Sequence, residues 1–379
     1  MSKPSICIIA HNAYSALANS GVGHLGGVEV QTSMFAKWLV SHGYKVTFIT
    51  WQEGRIGDER CDGVDVLKTC PADSGLPGVR FFYPRLTSFF MALARADADV
   101  YYHNCAEYYT GAIAMWCRLM GRLFVYSVAS EADCRATRPP WQDRREWWLY
   151  RYGLRRAHGV IVQTRTQARL VRNDYGISAI HLPMPGSLQP CEPPFRVPRP
   201  SGRMPVVVWV GRPDSRKRLE YLFAIARELP HIRFQVVAPV NEDDGYERSL
   251  RDEGASIPNL DWLGRVGRSE IAQVYRNADC LCCTSVYEGF PNTFLEAWSQ
   301  GLPIVSSFDP DGVIETKKLG LTAQSISALV SALQRVTSCP NEWECMSQNA
   351  LRHYREHHSP STALSRFEAT LLRLWSGCK

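Results

Sequence analysis

The chain has 379 residues, 45% apolar and 21% charged, with a net charge of +6. That length exceeds one ordinary hydrophobic core and predicts two globular domains. No run of about 18 apolar residues exists, so no membrane span is predicted, and so modest a charge demands no nucleic acid.

Thirteen scattered cysteines fit a reduced, cytosolic setting. The opening MSKPSICIIAHNAYS reads as a first strand rather than a signal peptide. Ser5–Ala10 and Lys45–Thr50 are strands on either side of a helical run, Val28–Ser41, which ends near Gly43. This β-α-β order opens a Rossmann-like domain. Gly21, Gly23 and Gly26 stand in G-x-G-x-x-G order, but about ten residues separate them from the strand, a poor dinucleotide fingerprint. The second strand also runs into Thr50, Trp51 and Gln52, with no acid placed for a ribose.

Further strands follow at Val100–Tyr102, Leu123–Val128, Val160–Thr164 and Ile180–Pro183, with a helix at Gly111–Met120. Asp97-Ala98-Asp99 has a D-x-D spacing but precedes its strand, so it reads as solvated turn acids and no bound metal is predicted. His103 and Asn104 are better placed, at the carboxyl end of a strand, where open α/β sheets gather ligands. Ser130, Glu131 and Asp133 follow the next strand and are placed for a ligand in the same sense. Arg135–Arg156 holds seven arginines interleaved with Trp141, Trp147, Trp148, Tyr150 and Tyr152. Two readings stand for it: a helix in peripheral contact with an anionic membrane or a lipid-linked acceptor, and a half-buried helix with a solvated basic face.

Eight prolines from Pro183 to Pro205 rule out a regular element. They mark a linker at 186–204 between an N-terminal domain, 1–185, and a second α/β domain, 205–355. That domain begins with the strand Val206–Val210, the turn Gly211–Arg218 and the helix Leu219–Leu229. Arg212 and Lys217 sit where a phosphate would rest, whereas Arg216 and Arg218 read equally well as solvent-facing charges. Phe234–Ala238 and Leu260–Gly264 are strands, the latter followed by Arg265, Val266 and the helix Ser269–Arg276.

The most informative stretch is Ala278–Ser307: a strand Cys280–Thr284, a turn Glu288-Gly289-Phe290-Pro291, a helix Asn292–Gln300 and a strand Leu302–Ser306. Cys280, Cys282 and Cys283 read as buried strand residues rather than metal ligands. Two such strands joined through a helix should lie parallel, with the Glu288 loop at their carboxyl ends. Pro291, Asn292 and Thr293 open the helix, whose free N–H groups favour an anion such as a diphosphate. Glu296, one turn further in, makes sense beside a phosphate if it accepts hydrogen bonds from a vicinal diol. The alternative is that Glu288 caps the helix and Glu296 is a solvated face residue.

The run EGFPNTFLEA, with Glu288 and Glu296 in E-x7-E spacing between two apolar strands, resembles the retaining nucleotide-sugar glycosyltransferases of family 4. The resemblance covers nearly the whole chain and is strongest from Val206 to Ser307. It implies an α/β GT-B architecture, two Rossmann-like domains facing across a cleft, and a last helix, within 356–379, packing back on the first domain. On this resemblance Glu288 would hold donor-sugar hydroxyls and Glu296 the ribose. Arg212 and Lys217 would hold the diphosphate with the loop Gly289, Phe290, Pro291, Asn292 and Thr293. The backbone at Arg265 and Val266 would lie along the nucleobase. Gly26-Gly27-Val28-Glu29 resembles the family's GGVE segment and would lie near donor phosphate and acceptor; a flexible loop with a glycine-rich N-cap is the plain alternative. His103 or Asn104 would approach the reacting sugar.

The segment Ile314–Ala323 is shorter than in such enzymes, which leaves the donor-sugar end of the pocket open. The implied partners are a nucleotide-sugar donor and a saccharide or lipid-linked acceptor, as in bacterial polysaccharide or glycoconjugate synthesis, with no cofactor, no divalent metal and no nucleic acid. The setting expected from the cysteines is cytoplasmic, with peripheral contact on the inner face of the membrane under the first of the two readings of Arg135–Arg156. A nucleotide-sugar epimerase or hydrolase on the same fold, and an NAD-dependent oxidoreductase, stand as alternatives.

Overall fold

The computed structural model describes residues 3–18, 26–75, 81–140, 142–192, 202–241, 243–286 and 288–378. Gly21, Gly23, Trp141 and part of the expected linker, 193–201, lie outside the described residues. The chain divides into two compact units, residues 1–184 with 363–379, and residues 185–362.

The first unit is built on eight strands: β1 (Ile6–Ile9), β2 (Val46–Thr50), β3 (Glu59–Cys61), β4 (Val64–Lys68), β5 (Val100–Asn104), β6 (Leu123–Ser127), β7 (Gly159–Val162) and β8 (Ile180–His181). Their order is β3-β4-β2-β1-β5-β6-β7-β8. Seven run parallel; β3 alone turns back on β4, through Asp62 and Gly63 at φ 49° and 81°. Positive φ at both central residues is the geometry that favours Asp-Gly in a two-residue hairpin. The central strands are continuous apolar runs because helices cover both faces of the sheet, so neither face of ICII or LFVYS meets water.

One face carries Gly27–Ser41 and the final helix Pro360–Gly377. There Phe35 stacks on Phe367 with centroids 3.9 Å apart, and Glu368 accepts hydrogen bonds from Trp38 Nε1 and Tyr44 Oη, both at 2.9 Å. The other face carries Thr87–Ala96, Tyr108–Met120, Arg144–Arg156 and Arg165–Tyr175. The arginine-rich stretch is therefore not one helix: it becomes helical only at Arg144, where Asp143 caps it by accepting from Glu146 N at 2.7 Å. Trp147, Tyr150 and Leu154 face inward, and Gly153 lets this helix touch the neighbouring backbone.

Asp97 and Asp99 are not merely solvated turn acids. Both pair with Arg122, and Asp99 also accepts from Ser5 N and Oγ at 2.8 Å, stitching the entry of β5 to that of β1.

The second unit holds β9 (Val206–Val210), β10 (Arg233–Val237), β11 (Leu260–Trp262), β12 (Cys280–Cys283), β13 (Ile304–Ser306) and β14 (Gly320–Thr322), all parallel, in the order β11-β10-β9-β12-β13-β14. Cys280, Cys282 and Cys283 are buried within β12. The short Ile314–Ala323 segment completes this sheet, as most of a helix, Val313–Lys317, and β14. Residues 186–192, the described start of the proline-rich run, form no helix or strand yet are pinned: Gly186 N donates to His358 O and Cys191 N to Ser299 O, each at 2.8 Å.

A Cβ at Gly153 would lie 2.3 Å from Thr110 O, and one at Gly111 would lie 2.5 Å from Leu149 O. Gly153→Ala must push two helices apart and should cost about 1–3 kcal/mol, read as a lower urea midpoint at unchanged slope.

Candidate functional site

Each sheet has a point where successive connections leave in opposite directions, and such points open a crevice at the carboxyl ends of the strands. In the second unit that point lies between β9 and β12, because β10 and β11 extend one way and β13 and β14 the other. The loops 211–218 and 284–291 diverge there.

Arg218 fixes both loops. Its backbone is left-handed, with φ 47°, which turns the side chain back under the loops rather than out to water. The guanidinium donates from Nε to Thr284 O at 2.7 Å and from Nη2 to Ser285 O at 3.2 Å and Ser307 Oγ at 3.0 Å, while lying over the Tyr221 ring. Thr284 Oγ1 in turn donates to Lys217 O at 2.6 Å. Three strand ends, β9, β12 and β13, are thereby locked together.

On this platform Lys217 Nζ meets Glu288 Oε1 in a half-buried ion pair. Arg212 is exposed and, among the described residues, its side chain has no ion pair or hydrogen bond. Arg216 is taken up by Asp214, 3.0 Å away. Glu288 is not a helix cap: the helix Asn292–Ser299 starts at Pro291 with no side-chain cap and no acid in its first turn. Its positive end is therefore not neutralised from within its first turn. Gly289, Asn292 and Thr293 are half-buried on this loop, and Phe290 packs against Trp298 and His358.

Glu296 is not a solvated face residue. Its Oε2 accepts from Tyr275 Oη at 2.9 Å and its Oε1 from Ser187 Oγ at 3.1 Å. Burial, with the Glu296 charge beside it, pushes the Tyr275 phenol well up, so it stays a donor. Arg265, exposed, and Val266, half-buried, follow β11 at the sheet edge, beyond β10 from the Lys217–Glu288 pair.

In the first unit the corresponding point lies between β1 and β5. His103 and Asn104 end β5 and are both buried. His103 Nδ1 lies 3.0 Å from Ile9 O, whereas His103 Nε2 and Asn104 Oδ1 have no hydrogen-bond partner among the described residues. Burial lowers the His103 pKa and keeps the ring neutral. Gly26 is the N-cap of the helix that Gly27 begins, with no side-chain cap.

Two further residues of this corner carry no sequence expectation. His11, after β1, is buried, stacked on Tyr109 with centroids 4.0 Å apart, and its Nδ1 is 3.7 Å from Glu107 Oε2. Burial raises the Glu107 carboxyl, but His11 and His103 outweigh it and leave the pKa below the ordinary value. In the sequence between His103 and Glu107, Cys105 holds φ 105°, a strained conformation for a side-chain-bearing residue. The signal was position: His11 stands just past the carboxyl end of the first strand, as His103 and Asn104 stand at that of the fifth. Asp133 is half-buried, and its carboxylate is taken up within its own loop, accepting from Ala129 N, Ser130 N and Ser130 Oγ.

Two parallel-sheet units, each with polar and charged side chains at its switch point, define the GT-B class of α/β proteins. The family described as "Glycosyl transferase 4-like domain" matches residues 26–184, and that described as "Glycosyl transferases group 1" matches residues 204–338. The chain belongs to the glycosyltransferases. It is 31% identical over 156 residues to the lipopolysaccharide 1,6-galactosyltransferase of Salmonella typhimurium, covering 38% of this chain and 42% of that protein, so the match spans less than half of that relative's length. In fold it is similar to sucrose-phosphate synthase from Thermosynechococcus elongatus, with a TM-score of 0.80 at 17% identity over 99% of this chain and 100% of that one. It is also similar to a lipopolysaccharide outer core galactosyltransferase, with a TM-score of 0.66 at 16% identity over 97% and 99%.

The sign of the His103 shift fixes a pH dependence. Its folded pKa lies below the unfolded value of about 6.5, so its stabilising share is complete above that pH and is lost as pH falls towards the folded value. His353, lowered to about 4 by burial, acts in the same direction. The stability lost between pH 7.5 and pH 5 should be smaller in His103→Asn than in the wild type, measured by chemical denaturation at both pH values.

Proposed function

We propose that the chain transfers a sugar, with retention of anomeric configuration, from a nucleoside-diphosphate sugar to a saccharide or lipid-linked acceptor. One observation carries the reading: Lys217 and Glu288 meet at the β9/β12 switch point, on loops that also bear Arg212 and an uncapped helix N-terminus. Retention rests on the resemblance of EGFPNTFLEA to the retaining family.

The C1–O bond to the diphosphate breaks with its electron pair going to the departing phosphate oxygen. Arg212, Lys217 and the N–H groups at Asn292 and Thr293 stabilise that charge as preorganised cations and dipoles, so no divalent metal is required. Glu288 holds donor-sugar hydroxyls and Glu296 the ribose diol; Gly289, Phe290 and Pro291 shape the loop, and the backbone at Arg265 and Val266 lies along the base. The acceptor hydroxyl bonds to C1 and gives its proton to the leaving phosphate oxygen, so no carboxylate acts as a covalent nucleophile. The first unit takes the acceptor at the β1/β5 end, with Gly26, Gly27, His103 and Asn104 around it. A cytoplasmic enzyme of polysaccharide or glycoconjugate synthesis fits this chemistry.

A thermal-shift panel of nucleotide sugars tests the reading. A true donor at about 100 times its Kd should stabilise the fold by about 2.7 kcal/mol, and no stabilisation by any member would overturn it. Glu296→Ala should weaken donor binding by about 1–3 kcal/mol in calorimetric titration, and unchanged affinity would remove the ribose role. Arg212→Ala combined with Lys217→Ala should lower donor turnover by roughly a hundredfold or more, and a double variant retaining most activity would remove the diphosphate role.

A further inference from the structure

The four helices Thr87–Ala96, Tyr108–Met120, Arg144–Arg156 and Arg165–Tyr175 pack through one apolar cluster onto the same face of the first unit's sheet. Between them they carry ten arginines and no lysine, against only Glu146 and Asp174. That surplus exceeds the +6 of the whole chain, so the rest of the protein is slightly acidic and the positive charge belongs to this face. Arg95, Arg118, Arg144, Arg145, Arg155, Arg156, Arg165, Arg169 and Arg172 are exposed.

Large apolar side chains stand out among these arginines. Leu119 is 78% exposed and Trp148 63%, and Met91, Met115 and Met120 are exposed as well. Met115 and Leu119 share one stripe of their helix, and Arg145, Trp148, Tyr152 and Arg155 share one stripe of theirs. Trp148 stacks on Tyr152 at 5.9 Å, presenting an amphipathic aromatic pair of the sort that settles at headgroup depth. The inward residues Trp147, Tyr150 and Leu154 already fill the core, so packing does not account for Trp148 or Leu119.

We propose that this face docks the protein on an anionic phospholipid surface, the guanidinium groups on lipid phosphates and Trp148, Leu119, Met115 and Met91 in the interfacial layer. Guanidinium is the cation best matched to phosphate oxygens. Exposed apolar side chains between the cations distinguish a bilayer from a nucleic acid, whose backbone offers charge but no apolar depth. No helix among the described residues is long and apolar enough to cross a membrane, so the contact is peripheral.

The test uses the full chain in flotation with vesicles of phosphatidylglycerol and phosphatidylethanolamine, and of phosphatidylcholine alone. Binding should require the anionic lipid and weaken with salt. Each interfacial arginine contributes about fivefold. Arg118→Gln with Arg144→Gln and Arg155→Gln should therefore lower the partition coefficient at least tenfold. Removing Arg227, Arg248 and Arg251 from the second unit should leave it unchanged. Trp148→Ser with Leu119→Ser, both exposed and so harmless to folding, should weaken binding severalfold at constant charge. Equal binding to both vesicle types, equal loss with the second-unit control, no loss in the apolar variant, or tighter binding to a short DNA duplex than to anionic vesicles would overturn the proposal. None of these readouts depends on turnover, so the docking and the proposed reaction stand or fall separately.

Discussion

The guanidinium of Arg218 is the constraint on which the candidate site of the second unit depends. Parallel strands end in loops whose carbonyls point into the crevice, and three such ends must be held at fixed spacing for charges on them to act together. A left-handed residue directs one cation beneath all three, satisfying Thr284 O, Ser285 O and Ser307 Oγ with a single planar group. Hydrogen bonds from a charged donor are stronger than neutral ones, and these lie partly out of water. Arg212, Lys217 and Glu288 therefore project from a rigid base.

The first unit follows a different logic. Its switch point is lined by buried polar atoms, His11 Nδ1 and Nε2, His103 Nε2 and Asn104 Oδ1, that find no hydrogen bond among the described residues. Each such group costs stability, and a set of them beside a strained Cys105 marks a corner selected for something other than folding. The nearby Glu107 carboxyl, raised by burial but lowered more by its His11 neighbour, has a pKa below the ordinary value and brings negative charge to this corner.

Much of the fold was legible because strands buried on both faces read as unbroken apolar runs; VVVWV and CLCC could be little else. The hairpin at β3 and β4 was not read, since ERC and VDVLK alternate polar and apolar residues at an edge, although Asp62-Gly63 marked the turn. That Lys217 and Glu288 lie at strand ends was legible, but their meeting needed the strand order that sets β9 beside β12. Arg218 could not be told from Arg216 in a run of basic residues, because only a positive φ separates the residue that folds inward from the one that pairs with Asp214. His11 was missed because a single histidine after a strand gains meaning only when the sheet order sets β5 beside β1. Asp133 misled for the opposite reason: its strand-end position is right, but its own loop consumes the carboxylate.

The Lys217–Glu288 pair explains how one corner can both hold charge and exchange it. The pair is half-buried, so its net contribution to stability is small, about 1 kcal/mol or less. In the proposed reaction a diphosphate bearing two or more negative charges would compete for Lys217 with one carboxylate, and the uncapped start of Asn292–Ser299 would favour the diphosphate. In the proposed reaction, therefore, the incoming donor displaces Glu288 at low cost. The freed carboxylate then becomes an acceptor for sugar hydroxyls beside the very phosphate that displaced it. The same exchange run backwards helps release the nucleotide: as the product leaves, Lys217 regains its internal partner instead of facing water alone.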